Sequence, residues 1–275
     1  MNSTSMFYLN PNYLNKLAVE HHKNYSQAQP FPHVVIDNFL PEFIVENILT
    51  EFPKVNSNDW QKFDGFTEKK LASNHESQMG DTTRPLLYQF NSSIFINFLE
   101  SLTGIDGIIP DSHFVGGGLH QIEKGGYLKM HVDFNRHSKL RLDRRLNFLL
   151  YLNKDWQEEY GGHLEFWDKD MTQCEKKILP IFNRCVIFNT TDFSYHGHPE
   201  PLTCPERQTR KSLALYYYSN GRPVEETFNT HSTIFQARAE DKLMKENLPG
   251  ITFRTMLKQL IPSVLVNTRN YLRNR

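Results

Sequence analysis

The sequence predicts an α+β domain with a mainly β core between N- and C-terminal helices. Residues 1–110 have a mixed pattern with a helical bias, residues 111–222 break into short β-type runs, and residues 223–275 return to a helical pattern. About eight short strands separated by Gly, Pro and Asn are typical of a sandwich or a barrel. We therefore expect residues 1–275 to form one domain, in which the outer parts support a β core.

Two helices are predicted in the N-terminal part. Apolar residues recur at helical spacing between Pro41 and Pro53, and a second helical stretch covers about 92–102. Residues 54–85 between them are polar and predict a long surface excursion, which could serve as a lid. The segment 30–40 holds a short β-type run followed by a turn.

The predicted strands and the tail complete the chain. Helices are predicted over 237–247 and 252–271, and the mildly basic run 269–275 is expected to be a solvated face. The β-type runs are 114–115, 119–122, 127–134, 146–152, 163–167, 178–181, 185–189 and 212–218.

Composition argues against several classes of protein. Lys and Arg number 31 and Asp and Glu also number 31, so the excess positive charge that nucleic-acid backbones attract is missing. Cys174, Cys185 and Cys204 form no CxxC pair, which argues against a thiolate zinc site and for a reducing compartment, the cytoplasm. No stretch approaches the ~18 apolar residues of a membrane span, and no signal peptide is predicted. The 12 His are the surplus in which metal chemistry is sought.

The strongest chemical signal is the pair His131-x-Asp133. Residues i and i+2 of a strand point to the same face, so this imidazole and this carboxylate converge. They provide two of the three ligands of a 2-His-1-carboxylate iron site, which leaves open positions on the metal. A distant strand must supply the third ligand. Both His196 and His198 have suitable parity, and periodicity alone leaves that choice open.

A later strand predicts an anion site. Arg210 and Ser212 share one face of it, and two leucines occupy the other face. A buried guanidinium followed two residues later by a hydroxyl suits a carboxylate ligand. Arg207 and Lys211 are rivals for this role, but Arg207 lies in a predicted turn and Lys211 has the opposite parity.

Taken in order, these motifs resemble the Fe(II)/2-oxoglutarate-dependent dioxygenases, and within them the prolyl 4-hydroxylase-like branch. Tyr127 precedes His131 by four residues after a Gly-Gly turn, and Tyr151-Leu152-Asn153 is followed by Gly161-Gly162 and an extended strand, as in that branch. The resemblance spans about residues 114–220. It implies a double-stranded β-helix, a jelly-roll or cupin-like fold.

The resemblance also implies a ligand set. Fe(II) would be held by His131, Asp133 and His196, because aligning Pro201-Leu202 with a Pro-Val-like pair of the family puts His196 on the metal. His198 then takes a position that is commonly apolar. The far carboxylate of 2-oxoglutarate would meet Arg210, and Tyr127 and Ser212 would donate hydrogen bonds to the cosubstrate.

The implied reaction is hydroxylation of an unactivated C–H bond, coupled to oxidative decarboxylation of 2-oxoglutarate to succinate and CO₂. O₂ would be the second cosubstrate and ascorbate a reductant. The implied substrate is either a prolyl residue of a protein or a small molecule, and neither nucleic acid nor membrane is an expected partner. The alternative is a non-catalytic cupin-like module that binds a metal or ligand.

Two expectations concern the surroundings of this site. Gln121, Asn147 and Asn189 occupy positions from which they could line the pocket. The segment 134–146 is expected to be a solvated loop rather than a docking place for an acidic substrate. Its cationic residues are Arg136, Lys139, Arg141, Arg144 and Arg145.

Overall fold

The computed structural model describes residues 7–58, 60–226, 229–238 and 241 of the chain. Within these residues, four α-helices accompany one large antiparallel sheet. The helices are α1 (Pro11–Gln27), α2 (Glu42–Glu51), α3 (Thr83–Phe90) and α4 (Ser93–Thr103). The strands are β1 (His33–Ile36), β2 (Gln61–Asp64), β3 (Glu68–Ser73), β4 (Ile109–Pro110), β5 (Gly118–Ile122), β6 (Tyr127–Val132), β7 (Asp143–Tyr151), β8 (Leu164–Trp167), β9 (Cys174–Ile178), β10 (Cys185–Asn189), β11 (His196–His198), β12 (Arg210–Ser219) and β13 (Ile234–Phe235).

Local sequence signals mark the helix ends. Oδ1 of Asn10 accepts hydrogen bonds from the backbone N–H groups of Asn12 and Tyr13 at 3.0 and 3.2 Å, which caps α1. Helix α4 ends at Gly104, whose φ of 71° lies in the left-handed region. The helices predicted near 41–53 and 92–102 are confirmed as α2 and α4.

The strands run in the order β1-β10-β7-β12-β5-β3-β6-β11-β8-β9, while β2, β4 and β13 pair with β3, β12 and β6. One limb of the sheet consists of β1, β10, β7, β12 and β5, and the other consists of β6, β11, β8 and β9. Strand β3 joins the limbs because it pairs with both β5 and β6. The sheet curls, so that both limbs line one cavity.

Successive side chains of a strand point alternately to the helix-facing core and to the cavity. On β7, Leu146, Phe148 and Leu150 belong to the main hydrophobic core, whereas Asn147 and Tyr151 line the cavity. The core side is aromatic. The Phe148 ring lies 4.7 Å from that of Phe90 of α3 and 5.3 Å from that of Phe95 of α4, centroid to centroid. Each fully buried ring contributes about 1.5–3 kcal/mol to folding, so this packing stabilises the strand that forms the cavity wall.

Three local predictions are wrong. The polar stretch 54–85 is not simply a surface excursion: β3 lies within the sheet, and its residues look polar because only Leu71 and Ser73 among them are buried. Residues 114–115 form a turn, in which Phe114 has a φ of 48°. The strand expected at 178–181 ends at Ile178 instead.

The helical tail expected over 237–247 and 252–271 lies outside the described residues, apart from residues 237, 238 and 241. The basic run 269–275 lies outside them too. Within the part of the chain that is described, no helix is long and apolar enough to cross a bilayer.

Candidate active site

A cavity opens between the two limbs of the sheet, and side chains from β3, β5, β6, β7, β8, β11 and β12 line it. Its volume is about 90 Å³. A single water molecule needs only about 10–15 Å³, so the cavity has room for a small organic molecule.

Two histidines and one aspartate meet in this cavity. One ligand atom from each of His131, Asp133 and His196 lies within 4.8 Å of the others. Nε2 of His131 lies 3.6 Å from Oδ1 of Asp133, and Nε2 of His196 lies 3.4 Å from Oδ2. Pairing of β11 with β6 places His196 directly opposite His131, which brings residues 65 positions apart in the sequence together.

The orientation of both imidazoles is set by the backbone. Nδ1 of His131 lies 2.9 Å from the carbonyl oxygen of Lys129, and Nδ1 of His196 lies 2.9 Å from that of Ser194. A carbonyl can only accept, so each Nδ1 carries the proton and each Nε2 presents a lone pair. These lone pairs face the carboxylate of Asp133, as metal ligation requires.

The Asp133 carboxylate has two donors behind it. Nη2 of Arg144 and Nδ2 of Asn147 donate to its Oδ2 at 2.9 and 2.7 Å. The Arg144 guanidinium is buried and stacks on the rings of Tyr216 and Phe134, at 3.5 and 4.4 Å from their centroids. Burial by itself raises the pKa of Asp133, but the positive charge of Arg144 outweighs it and holds that pKa well below its usual value.

The expectation of a solvated 134–146 loop is therefore wrong for Arg144 and Arg145, which are 1% and 8% exposed. Strand parity groups Arg144 with Leu146 on the helix-facing side of β7. A β-bulge in β7 breaks this alternation: Leu146 pairs with Tyr217, but Arg144 pairs with Tyr218. Arg144 is thereby turned to Asp133.

His198 lies apart from the three-residue cluster. It lines the same cavity and is only 3% exposed, but neither ring nitrogen has a hydrogen-bond partner among the described residues. Burial lowers the pKa of His198 well below its usual value, and the charges of Arg210 and Lys70 lower it further, so the ring is neutral. A buried polar group without a hydrogen-bond partner lowers the stability of the folded state by about 1–3 kcal/mol.

Arg210 occupies another wall of the cavity and is 5% exposed. Its Nε donates to the carbonyl oxygen of Gly162 at 2.8 Å, and its Nη2 donates to the hydroxyl oxygen of Tyr151 at 3.2 Å. No carboxylate among the described residues pairs with it, and burial lowers its pKa. Ser212 lines the same wall. A buried cation without a protein counter-ion is a site for an anionic ligand.

Gly162 shapes this anion site. Its φ is +72°, and a Cβ atom there would lie 3.0 Å from Cδ of Arg210 and 2.6 Å from Cδ2 of Leu202. The Gly161-Gly162 motif is thereby explained: the second glycine accepts a hydrogen bond from Arg210 and leaves room for its side chain.

Tyr127 does not reach the cavity, contrary to expectation. Its hydroxyl donates to the carbonyl oxygen of Gly65 at 3.1 Å. The reason is a bulge: His196 pairs with His131 but His198 pairs with Leu128, so β6 carries one extra residue and Leu128 faces the cavity instead. Tyr151, which the sequence analysis did not assign to the site, contacts Arg210 in its place. Its parity with Asn147 on β7 is the signal that could have identified it.

Of the three amides expected near the pocket, one lies in it. Asn147 lines the cavity and donates to Asp133. Gln121 donates to Oγ1 of Thr209 at 2.7 Å, and Asn189 accepts from the Tyr25 hydroxyl. Both are engaged elsewhere.

The residues present fit a ferrous ion and a dicarboxylate. Two imidazole nitrogens and one carboxylate are the donor set of non-haem Fe(II) oxygenases, and they leave open positions on the metal. The Arg210 guanidinium has no carboxylate partner among the described residues, so it is available for a carboxylate ligand in the same cavity.

Comparison with known proteins gives the same assignment. Residues 117–218 match the model of the 2OG-Fe(II) oxygenase superfamily. The chain is 27% identical over 199 residues to prolyl 3-hydroxylase OGFOD1 of Mus musculus, covering 69% of this chain and 33% of that protein. The chain thus spans about a third of that relative's length.

Solved structures share the fold. A Trichoplax adhaerens prolyl hydroxylase, solved with a peptide fragment of the hypoxia inducible factor oxygen degradation domain, aligns with a TM-score of 0.55 at 18% identity, over 76% of this chain and 91% of that one. A Pseudomonas putida prolyl-4-hydroxylase aligns with a TM-score of 0.51 at 15% identity, over 76% of this chain and 100% of that one.

The curled sheet and its cavity thus define a double-stranded β-helix protein, as predicted. Residues 117–218 resemble the 2OG-Fe(II) oxygenase superfamily in sequence, and the fold is shared with the two prolyl hydroxylases of solved structure.

Proposed function

We propose that this chain is an Fe(II)- and 2-oxoglutarate-dependent hydroxylase. The proposal rests on one observation: two groups share one cavity. They are the cluster of His131, Asp133 and His196, and the guanidinium of Arg210, which has no carboxylate partner among the described residues. The cluster holds the metal. Arg210, with Tyr151 and Ser212 beside it, binds the far carboxylate of 2-oxoglutarate.

The chain's own residues position the reactants. The backbone carbonyls of Lys129 and Ser194 hold both imidazoles in the tautomer that leaves Nε2 free. Apolar side chains of Ile122, Leu149 and Leu164 line the cavity and exclude water from it. Bound Fe(II) and 2-oxoglutarate supply an oxidant from O₂, with formation of succinate and CO₂, and ascorbate would keep the metal ferrous.

The substrate that we propose is a prolyl residue of a protein, and the product carries one added hydroxyl group. This choice is supported by the similarity to the mouse relative, which is a prolyl 3-hydroxylase. A small molecule is the alternative substrate. We propose the cytoplasm as the compartment, because all three cysteines are free thiols.

Succinate release tests the activity. The purified chain with Fe(II), ascorbate and 2-oxoglutarate should convert 2-oxoglutarate to succinate, faster when substrate is present. His131→Ala and Arg210→Met should each lower this rate at least 100-fold. The exposed variant Lys139→Met should retain it. Full turnover in His131→Ala would exclude the proposed metal site. Binding of metal and 2-oxoglutarate without any succinate would favour the non-catalytic module.

Mass spectrometry distinguishes the substrates. Incubation with proline-containing peptides drawn from a cell lysate, and in parallel with its metabolite fraction, should add one oxygen atom to a prolyl peptide. Addition of oxygen to a metabolite alone would replace the prolyl assignment by the small-molecule one. Fractionation of cells that express the tagged chain should recover it with cytoplasmic markers.

A further inference from the structure

One polar side chain in the cavity has no role in the site as built so far. His198 is 3% exposed, lines the cavity and has both ring nitrogens buried without a partner among the described residues. Most buried polar groups in folded proteins are hydrogen-bonded, so an exception inside a ligand cavity calls for an explanation. A ligand that accepts a hydrogen bond from this ring would provide one.

His198 shares its cavity with the metal cluster and with the anion site. It follows His196 by two residues on β11, so both rings belong to the same strand face, about 7 Å apart along the strand. Arg210 of β12 lines the same cavity, so a ligand that binds its guanidinium lies in the space that the His198 ring borders.

Strand β11 packs closely between its two neighbours. It pairs with β6 and β8, and a Cβ atom at Gly197 would lie 2.8 Å from the carbonyl oxygen of Leu128 and 2.9 Å from that of Lys129. This packing places the His198 ring in the wall of the cavity. A ligand that fills the cavity therefore lies beside the ring.

We propose that His198 is a cosubstrate-binding residue, whose ring N–H donates a hydrogen bond to the far carboxylate of 2-oxoglutarate beside Arg210. This inference rests on the proposed function. An imidazole carries at least one N–H in either protonation state, and a carboxylate accepts several hydrogen bonds, so Arg210 and His198 can share it. A 2-oxo acid without the far carboxylate would leave both donors unpaired, so the pair selects for a dicarboxylate.

Calorimetric titration of the Mn(II)-loaded chain with 2-oxoglutarate, without O₂, tests the hydrogen bond. His198→Leu should weaken 2-oxoglutarate binding about tenfold, as loss of a hydrogen bond to a charged group predicts. His198→Gln keeps an N–H and should recover most of the affinity. Mn(II) affinity should stay the same in both variants. The matched control is His163→Leu, because His163 pairs with Glu158 outside the cavity, and it should bind like wild type.

The same titration with 2-oxopentanoate identifies which end of the ligand His198 binds. This monocarboxylate keeps the 2-oxo acid group but has a methyl group in place of the far carboxylate. It should bind wild type and His198→Leu equally. An equal loss for both ligands would overturn the assignment to the far carboxylate.

Thermal unfolding of the ligand-free chain supplies a second measurement. His198→Leu removes two unpaired buried nitrogens, so it should raise the midpoint temperature while it weakens 2-oxoglutarate binding. A lower midpoint with unchanged affinity would mean a structural role and would overturn the proposal.

Failure of the two proposals can be told apart. If wild type binds 2-oxoglutarate and Arg210→Met weakens it, but His198→Leu does not, only the His198 inference fails. If Mn(II)-loaded wild type does not bind 2-oxoglutarate at all, the proposed function fails and the inference fails with it.

Discussion

Arg144 donates a hydrogen bond from Nη2 to Oδ2 of Asp133 across 2.9 Å. Asn147 donates to the same oxygen at 2.7 Å. Oδ2 is thus engaged by two donors, whereas Oδ1 keeps its lone pairs for a metal. The arrangement orients the carboxylate and keeps it ionised, which are the usual tasks of groups behind a metal ligand.

Loss of this ion pair should weaken metal binding. Arg144→Met leaves the Asp133 carboxylate buried without its cation, which should destabilise the ligand-free chain by about 3–5 kcal/mol. Mn(II) affinity should fall by about 10–100-fold. Urea denaturation and calorimetry measure the two effects. The exposed residue Lys139 offers a control, Lys139→Met, that removes a nearby positive charge without changing either value. Unchanged metal affinity in Arg144→Met would show that the ion pair is structural only.

The two tyrosines should differ in their effect on 2-oxoglutarate binding. Tyr151→Phe removes the hydroxyl that accepts a hydrogen bond from Arg210, and the loss of a hydrogen bond to a charged group should weaken 2-oxoglutarate binding about tenfold. Tyr127→Phe removes a hydroxyl that bonds to Gly65 instead, so 2-oxoglutarate should bind this variant as wild type. Calorimetry on the Mn(II)-loaded variants measures both. The reverse order of effects would restore Tyr127 as the cosubstrate donor.

Neighbouring glycines allow a matched test of the space around Arg210. Gly161 and Gly162 both have positive φ, at +69° and +72°, so each alanine substitution should cost about 1–3 kcal/mol of stability. Only the new Cβ at Gly162 meets Arg210, whereas the one at Gly161 meets nothing within 4 Å. Gly162→Ala should therefore weaken 2-oxoglutarate binding about tenfold or more, and Gly161→Ala should not. Equal affinities would show that Arg210 adapts to the added methyl group.

Stability should depend on pH through His120, which also lines the cavity. Burial, reinforced by the charge of Lys70, lowers the pKa of His120 to about 3 from 6.5. Below pH 6.5 the unfolded chain binds a proton there that the folded chain does not, so stability that is fully present above pH 6.5 is lost as the pH falls towards 3. The free energy of unfolding of wild type relative to His120→Gln should therefore decrease between pH 7 and 5. A constant difference in urea denaturation over that range would contradict the lowered pKa.

Strand periodicity predicted which side chains of the site share a strand face. His131 and Asp133 were expected on one face, and so were Arg210 and Ser212, because a two-residue alternation is a local property of extended backbone. Two other expectations were not met: Tyr127 was assigned to the site by the family resemblance, and Arg144 was expected in a solvated loop. Each lies beside a β-bulge, where one extra residue reverses the faces of all those beyond it, and no residue pattern announced either bulge.

The sequence by itself determined the mainly β core, the helices before it and the residue types of a metal and carboxylate site. These follow from side-chain periodicity and from the chemistry of imidazole, carboxylate and guanidinium groups. Only the tertiary structure decided which histidine joins His131 and Asp133, that β3 completes the sheet, and that Tyr151, Arg144 and His198 face the cavity. Those outcomes depend on pairing between strands far apart in the chain and on the register of that pairing, which local pattern does not encode.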